Sequence, residues 1–425
     1  MKTKSTAWGR AATMIGAAVM VCGAAGSARA ADAYTATSVP PLAGGTGTNA
    51  AGVNSAGMVV GQADDANGNL LAYAYENGVT TALPLLAGYV SAGANSVNTS
   101  GVVVGYCTPD SGPSRAVRWE RVNGSWTVTD LGTLEASNAG FGWATRINDS
   151  GDIVGYSTAS IPGGYHATRW SGGTKGDLGT LGFSGNLAYS QALGISNSGW
   201  VTGFAYMVLG GPEHGLSIAP GGRAEDVTPP GQFGLAQWHN VNDAGQLVGY
   251  IEGQPPAGAP GFQPAIYVGG EGYTMIPTLP GLPEGYGFDI DPNGLAVGTM
   301  FMLNAVPDPN VFRAFKYENG VTADLNDITT GLPGVMLEAK DIADNGLIAG
   351  TVDGGSAPIA VLLTPVVTPP ACVPDFNHSG GLEVQDIFDF LNAWFAGDPA
   401  ADVNGHGLGV DDIFDFLNAW FAGCR

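Results

Sequence analysis

One nine-residue phrase of apolar and polar positions recurs seven times along the chain. Its clearest copy runs from Ile147 to Gly155 and reads as an apolar residue, Asn, two small or polar residues, Gly, and an apolar run closed by a second Gly. Asn-x-x-Gly favours a tight turn because both residue types tolerate positive φ, and β-branched residues on either side favour strands. The phrase therefore predicts a β-hairpin.

The hairpins recur at a nearly constant spacing, since the closing glycines lie 44 to 52 residues apart. These glycines are Gly61, Gly105, Gly155, Gly203, Gly249, Gly298 and Gly350. In the third unit, two further strand-like stretches follow the hairpin, at residues 166–170 and 177–181. Each full unit thus holds four short strands, which match one blade of a β-propeller.

The two ends of the repeat region complement each other. The seventh unit stops after the strand 359–363, whereas residues 34–42 form an extended segment that belongs to no unit. Pairing that segment with the last blade would close the ring and remove an open edge. An open β-solenoid is the competing architecture, but it needs capping repeats, and neither end resembles one. We expect a mainly β fold, a seven-bladed β-propeller over residues 31–365.

Beyond a proline-rich linker at residues 366–371, the apolar pattern becomes helical. The segment 386–397 recurs without change at 412–423. Its apolar residues fall on one broad helix face, so residues 372–425 are expected to form a small all-α domain. Most of the aromatic face should be core, and any exposed remainder is a candidate docking patch. These rings are Phe388, Phe390, Trp394, Phe395 and their copies.

An oxygen-rich loop precedes each of the two predicted helices. Oxygen-bearing residues at loop positions 1, 3, 5 and 12, with Gly at position 6, are typical of a calcium-binding loop. The first predicted Ca²⁺ site consists of Asp375, Asn377, Ser379, the Gly381 carbonyl, Glu383 and Asp386. The second consists of Asp402, Asn404, His406, Leu408 and either Asp411 or Asp412. His406 offers nitrogen where calcium prefers oxygen, and this loop is one residue shorter, so the first site is expected to bind more tightly.

Composition and charge limit the possible locations and partners. The 68 glycines and only 12% charged residues fit a β protein rich in turns. Residues 1–30 resemble a secretory signal that ends in Ala28-Arg29-Ala30, and we expect cleavage after Ala30. The alternative, an uncleaved membrane anchor, is disfavoured because the apolar stretch 11–25 is short. The mature chain then spans no membrane and is secreted, either extracellular or associated with the cell surface.

Cleavage would remove four of the 15 basic residues and none of the 37 acidic ones, which leaves a net charge of −26. Nucleic acid and anionic membranes are therefore poor partners. The mature chain would keep three cysteines. Cys372 and Cys424 bracket the C-terminal domain and can form a disulfide after export, whereas Cys107 is expected to be a buried strand residue.

The repeats resemble the HAF family of extracellular repeats. The likeness rests on Asp-Leu-Gly-Thr-Leu at 130–134 and 177–181, on the Ile-Asn-x-x-Gly-x-Ile-Val-Gly phrase, and on His166-Ala167 before Trp170. It implies a secreted repeat protein and no particular reaction.

Residues 371–425 resemble a type I dockerin pair, specifically the GC-type dockerin with flanking cysteines. Cys372 opens the segment and Gly423-Cys424 closes it. The resemblance implies a C-terminal anchoring or docking module with a cohesin-like or cell-surface protein as partner.

No common catalytic motif occurs in the chain, and its five histidines are scattered. We therefore expect a non-enzymatic secreted protein, a binding or structural propeller with a polysaccharide or protein ligand. The alternative is an extracellular polysaccharide-active enzyme with a propeller catalytic domain. Acidic residues that break the repeat pattern and converge on one mouth of the central channel would favour the enzyme.

Overall fold

The computed structural model describes residues 33–159, 164–181, 189–206, 211–229, 235–252, 261–302, 312–366, 374–377, 379, 381–403 and 408–423. Ala33–Val366 forms one compact unit, and the segment from Val367 belongs to another. The predicted signal segment and both cysteines of the predicted disulfide lie outside the described residues. Within the described part, no helix has the length and apolar character needed to cross a membrane.

Ala33–Val366 folds into the predicted seven-bladed β-propeller, in which each of the first six blades is an antiparallel four-stranded sheet. Blade 1 contains β2 (Thr48–Val53), β3 (Val59–Asp64), β4 (Leu70–Glu76) and β5 (Val79–Ala82). Blade 2 contains β6 (Ser91–Val97), β7 (Val103–Thr108), β8 (Arg115–Val122) and β9 (Ser125–Asp130). Blade 3 contains β10 (Gly142–Ile147), β11 (Ile153–Thr158), β12 (Tyr165–Ser171) and β13 (Thr174–Gly179).

The next three blades repeat this arrangement. Blade 4 contains β14 (Tyr189–Ile195), β15 (Val201–Tyr206), β16 (Glu213–Ile218) and β17 (Ala224–Asp226). Blade 5 contains β18 (Ala236–Val241), β19 (Gln246–Glu252), β20 (Phe262–Val268) and β21 (Gly272–Met275). Blade 6 contains β22 (Glu284–Ile290), β23 (Ala296–Phe301), β24 (Arg313–Glu318) and β25 (Val321–Asp324). A one-turn helix, α1 (Leu325–Ile328), and the short strand β26 (Thr329–Thr330) follow.

The seventh blade joins the two ends of the repeat region. It contains β27 (Val335–Ile342), β28 (Ile348–Asp353) and β29 (Pro358–Pro365), and the N-terminal strand β1 (Tyr34–Ser38) supplies its fourth strand. β1 pairs antiparallel with β29, with Tyr34 opposite Pro365 and Ser38 opposite Val361. The sequence therefore predicts the closure correctly, and β29 does not form an open edge.

The repeated Asn stabilises its turn differently from the sequence-based expectation. In the third blade it is Gly151 that takes positive φ, at 82°, and none of the repeated asparagines does. Asn148 instead accepts a hydrogen bond at Oδ1 from the backbone N–H of Asp152, at 2.9 Å. Asn is needed for its side-chain oxygen, which satisfies a backbone donor of the turn.

The same side chain also links neighbouring blades. The Nδ2 of Asn54 donates to the carbonyl of Asn98 at 2.9 Å, Asn98 donates to Asn148 at 3.1 Å, and Asn148 donates to Ser196 at 3.0 Å. Between blades 5 and 6, Asn242 donates to Asp291 at 3.0 Å, and between blades 7 and 1 Asn345 donates to Ser55 at 2.9 Å. A turn residue of one blade thus bonds the turn of the next around much of the ring.

Every inner strand carries a bulge shortly before this turn. The closing glycine lies opposite it. In blade 3 a Cβ on Gly155 would overlap the carbonyl oxygen of Trp143 on the paired strand. The final glycine of the phrase is therefore required by close backbone approach.

The core of the propeller lies between adjacent blades. Between blades 1 and 2, for example, Val60 and Ala74 pack with Val103, Val117 and the fully buried Trp119. Similar apolar clusters join other neighbouring blades. Each blade is thus stabilised mainly by its neighbours, so ring closure matters to all of them.

The described part of the C-terminal unit contains α2 (Val384–Ala396), a short 3₁₀ helix (Pro399–Ala401) and α3 (Val410–Ala422). The two helices pack through Phe390 and Phe416, both fully buried, whose rings stack with centroids 4.1 Å apart. The indole of Trp394 donates to the Gly409 carbonyl at 2.8 Å, and Trp420 donates to the Glu383 carbonyl at 3.3 Å. The identical segments therefore make reciprocal contacts, each helix bonding the residue that precedes the other.

We predict that Asn98→Asp destabilises the propeller although it keeps the turn. The carboxylate retains the acceptor for the turn. The carbonyl of Asn148 keeps its bond from the Gly151 N–H but loses the donor from the neighbouring blade and faces a buried carboxylate oxygen instead, at a cost of about 1–3 kcal/mol. Urea unfolding followed by tryptophan fluorescence measures this, with the exposed turn variant Asn67→Asp as control. Equal unfolding midpoints for the two variants would show that the inter-blade bond contributes nothing.

Candidate functional site

The bulge brings one residue of each blade to the central axis. This residue lies two positions before the repeated turn residue, and its identity differs from blade to blade. In order, the seven are Gly52, Ser96, Arg146, Gly194, Asn240, Asp289 and Asp341. The set contains one cation and two carboxyl groups, which sequence analysis did not single out.

Arg146 crosses the axis to bind both carboxyl groups. Its Nη2 lies 2.6 Å from Asp289 Oδ2 and 2.5 Å from Asp341 Oδ1. Asp289 and Asp341 are almost fully buried, and 17% of the Arg146 side chain is exposed. Because these residues are 143 and 195 positions apart in sequence, the ion pairs connect blade 3 directly to blades 6 and 7.

Backbone and amide groups bind the remaining carboxylate oxygens. Asp341 Oδ2 accepts from the N–H of Val53 in blade 1 at 2.6 Å. Asp289 accepts from the N–H groups of Ile290 and Ile342, at 2.8 and 2.9 Å, and from the amide of Asn240. Every oxygen of the two carboxyl groups therefore has a donor within the ring.

The two carboxyl groups titrate differently. Burial and the nearby Asp289 raise the pKa of Asp341 well above its ordinary value, despite the opposing charge of Arg146. For Asp289, burial opposes ionisation, but Arg146 and the hydrogen bonds outweigh it, and its pKa is lowered. Burial alone would lower the pKa of Arg146, but the two carboxyl groups raise it. The single guanidinium thus neutralises Asp289, while Asp341 retains its proton more readily.

A cavity of about 120 Å³ lies over this cluster, and turn residues of all seven blades line it. Asp149, Asp243 and Asp344 are also among its lining residues. Burial and these like charges raise the pKa of Asp344. Asp289 and Asp341 meet the criterion that favoured an enzyme, since they break the repeat pattern and converge at the axis. Their oxygens, however, are engaged in holding the ring together.

Three titratable groups noted in the sequence lie on strands of blades 2, 3 and 4 and outside the axial cluster. Cys107 is fully buried on β7, as expected, and burial raises the pKa of its thiol to about 11. His166 and His214 bind Asp177 and Asp226 at 2.8 and 2.9 Å within their own blades.

In the first C-terminal loop, the structure gathers several of the predicted calcium ligands. The N–H of Ser379 donates to Asp375 Oδ1 and to Asn377 Oδ1, both at 2.9 Å. Asp386 is fully buried and accepts from the N–H groups of Asn377 at 3.4 Å and Glu383 at 2.8 Å. Loop positions 1, 3, 5 and 12 are therefore joined by hydrogen bonds. Gly381 accepts from the Ser379 hydroxyl at 3.3 Å, and Glu383 is exposed.

The second loop repeats the closing contacts of the first. Asp412 is fully buried and accepts from the N–H groups of Val403 at 3.0 Å and Gly409 at 2.7 Å. Of the two alternatives for the last ligand, Asp412 therefore occupies the position equivalent to Asp386. Asp402 is half-buried and Leu408 is exposed, whereas Asn404, His406 and the Asp411 side chain lie outside the described residues.

Carboxylates alone do not form a metal site in the described residues, because no three His, Cys, Asp or Glu side chains there are close enough to share an ion. The predicted donor set of the first loop is mixed, with an amide, a hydroxyl and a carbonyl beside the carboxylates. Oxygen donors of this kind suit calcium, which takes six to eight of them.

Four phenylalanines of the two helices remain outside the core. Phe388 and Phe414 are 55% and 62% exposed, and Phe395 and Phe421 are both 77% exposed. The aromatic face is thus divided in the same way in both copies, with one ring buried and two exposed. Trp394 and Trp420 pack edge-on against Phe395 and Phe421, at 5.2 and 5.3 Å between centroids.

No protein-family model and no curated protein matches the chain. Among solved structures, virginiamycin B lyase from Staphylococcus aureus is 13% identical, with a TM-score of 0.41, over 78% of this chain and 99% of that one. AofleA from Arthrobotrys oligospora is 13% identical, with a TM-score of 0.37, over 68% and 87%. The six-bladed lectin of Aleuria aurantia is 12% identical, with a TM-score of 0.29, over 59% and 80%.

We predict that Arg146→Met lowers the free energy of unfolding by about 3–5 kcal/mol at neutral pH, because it leaves two buried carboxyl groups without their cation. Without Arg146 both folded-state pKa values would lie above the unfolded value of about 3.9. The free energy of unfolding of the variant would then be highest below the unfolded pKa and would decrease as the pH rises through the folded pKa values.

The matched control is Arg118→Met, which removes an exposed cation that binds Glu120 at 2.7 Å. Urea unfolding at several pH values should show a loss below about 1 kcal/mol for this control. A loss for Arg146→Met that is equally small, or that does not grow with pH, would contradict the axial role.

Proposed function

We propose that this chain is a secreted, non-enzymatic binding or structural propeller that a calcium-binding, dockerin-like C-terminal domain docks onto a partner at a surface. Family membership in the HAF and GC-type dockerin groups is part of this proposal and rests on the sequence resemblance.

The observation that carries the docking role is the exposure of Phe395 and Phe421. A small domain that could bury its aromatic rings would gain stability by doing so, yet it exposes 77% of each of these two. Exposed apolar patches of this kind mark interaction sites. Because the two helices have the same sequence and reciprocal contacts, the domain presents two equivalent patches.

The first loop supports calcium binding. Asp375, Asn377, Ser379, the Gly381 carbonyl and Asp386 would hold the ion, and Glu383 would act directly or through water. Bound calcium would neutralise the buried carboxylates of this loop. In the second loop Asp402 and Asp412 would serve, with Asn404, His406 and Leu408 as further candidates. The proposal keeps the first site as the tighter one.

The axial cluster supports a structural rather than a catalytic role for its two acids. A catalytic acid must reach a substrate, whereas the oxygens of Asp289 and Asp341 already accept hydrogen bonds from within the ring. The polysaccharide-active enzyme remains the second candidate, favoured by the convergence of these two acids and by the raised pKa of Asp341.

The docking role predicts calcium-dependent binding of the full chain to cohesin modules. The chain is immobilised, a panel of purified cohesin modules is passed over it, and the measurement is repeated with chelator. The double variant Phe395→Ser/Phe421→Ser should weaken binding by about 30-fold, since rings at the centre of an interface are worth 2 kcal/mol or more. Each single variant should lose less, because the other patch remains.

Tyr273→Ser is the control, since it removes an exposed ring of the propeller. Binding of no module, binding that survives chelation, or equal loss in the control would contradict the docking role.

A further inference from the structure

Aromatic rings lie at the ends of the blades farthest from the repeated turns. In blade 3, Trp143 pairs with Tyr156 near this end, whereas Ile147 pairs with Ile153 beside the turn. Equivalent positions carry rings in blades 2 to 6 and polar residues such as Asn49, Gln62 and Thr351 in blades 1 and 7. We call these rings the aromatic belt: Tyr106, Phe141, Trp143, Tyr156, Tyr165, Tyr189, Phe204, Tyr206, Tyr250, Phe262, Tyr286, Phe301 and Phe312.

The rings of the belt contact one another across blade boundaries. Tyr106 of blade 2 stacks on Trp143 of blade 3, with centroids 3.5 Å apart. Tyr165 of blade 3 meets Tyr189 of blade 4 edge-on at 5.4 Å. A second run joins Tyr250 of blade 5 to Tyr286 of blade 6 at 4.6 Å. The belt is therefore a long arc rather than a single pocket.

Glu213 connects the two runs. It accepts hydrogen bonds from the hydroxyl of Tyr206, at 2.5 Å, and from the amide of Gln237. No cation lies over a belt ring among the described residues, where the three cation–ring contacts involve Trp126, Tyr34 and Phe288. The imidazole of His239 contacts Tyr250 and Tyr286, but burial lowers its pKa to about 4, so it is neutral at neutral pH. The arc thus combines apolar faces with hydrogen-bonding groups, and no charged cation lies over its rings.

Several hydroxyl groups of the belt have no partner in the described protein. Tyr156, Tyr165, Tyr250 and Tyr286 are largely buried, yet their hydroxyls make no hydrogen bond to a described residue. Burial, together with nearby phenols, raises the pKa of Tyr156 to about 12, and burial with the nearby Glu284 raises that of Tyr286. The phenols of Tyr156 and Tyr286 therefore stay protonated, and a phenol hydroxyl can both donate and accept hydrogen bonds.

A buried carboxyl group in the belt also lacks a donor. Glu284 is 8% exposed, and its Oε2 has no hydrogen-bond partner. It begins β22, pairs with Phe301, and lies close enough to Tyr286 to affect the pKa of that phenol. An unpartnered buried carboxylate is costly, so a ligand that donates hydrogen bonds would stabilise it.

We propose that the aromatic belt binds a neutral polysaccharide, an inference that rests on the proposed binding role of the propeller. Sugar rings offer apolar faces that pack on aromatic rings, and hydroxyls that pair with the free tyrosine hydroxyls and with Glu284. The carboxyl groups of Glu213 and Glu284, with no cation over the described belt rings, disfavour a polyanion. A basic peptide would pair with Glu284 alone, because Glu213 is already engaged by Tyr206 and Gln237, and polylysine tests that alternative.

Affinity electrophoresis of the full chain in calcium-containing native gels tests this inference. The probes are three neutral polymers, namely a mixed-linkage β-glucan, a xyloglucan and a galactomannan, with polygalacturonate and polylysine as charged comparisons. The variants are Tyr165→Ala and Tyr189→Ala, and Tyr165→Phe removes the hydroxyl alone. Tyr273→Ala, on the outer strand β21, is the matched control, and thermal unfolding verifies that each variant is folded.

We expect retardation by at least one neutral polymer, and a dissociation constant about tenfold higher for each alanine variant. Tyr165→Phe should give a smaller increase, and Tyr273→Ala none. The inference is overturned if no neutral polymer retards the chain, if only a charged polymer does, or if folded alanine variants bind as well as the parent. Calcium-dependent docking on cohesin modules uses other residues, so its outcome is independent of this one.

Discussion

The propeller depends on the two ends of one amide side chain. In blades 1, 2, 3 and 5 the oxygen of the repeated Asn holds the hairpin of its own blade, while the nitrogen holds the next blade. No other common side chain supplies an acceptor and a donor at this distance from the backbone. In blade 4, where Ser196 replaces the repeated Asn, one side chain no longer both accepts from its own turn and donates to the next blade. Ser196 still accepts from the turn, at 3.1 Å from Trp200 N, but is too short to bond the next blade.

The bulge gives the ring its second set of cross-links. By turning one residue of each inner strand toward the axis, it lets a single arginine bind carboxyl groups from two blades on the far side. Such a buried arrangement costs desolvation, and it is favourable only when every charge and donor is matched. Here Asp289 is ionised against Arg146, and Asp341 meets the requirement by holding its proton more readily. The result is a ring whose blades are joined both at the turns and across the centre.

Periodicity could predict the architecture because each blade repeats the same pattern of turn and strand residues. Seven turns, four strands in each full unit and an unpaired first segment were enough to predict the closure of β1 on β29. The reason given for Asn was wrong, since Gly151 adopts the positive φ and Asn148 does not. The sequence did not reveal that Arg146, Asp289 and Asp341 meet at the axis. Arg146 is 143 and 195 residues from the two acids, and all three look like ordinary variation at one repeat position.

In the C-terminal domain, too, the sequence predicted the architecture but not every side-chain contact. Exact duplication predicted two packed helices, and the structure identifies Asp412 as the residue equivalent to Asp386. Sequence spacing alone could not distinguish Asp411 from Asp412 because the second loop is one residue shorter. Nor could it tell which rings would stay exposed, since Phe390 and Phe395 lie on the same broad apolar face, and only the packing of α2 against α3 separates them.

We propose that calcium orders the C-terminal domain, whereas the propeller, whose blades are joined by direct bonds between protein groups, folds without it. Hydrogen exchange of the full chain during calcium titration, read by mass spectrometry, tests this most directly. The account predicts that propeller amides exchange slowly at every calcium concentration, and that helix α2 becomes protected at lower calcium than helix α3. Helices protected equally with and without calcium, or α3 protected before α2, would contradict it.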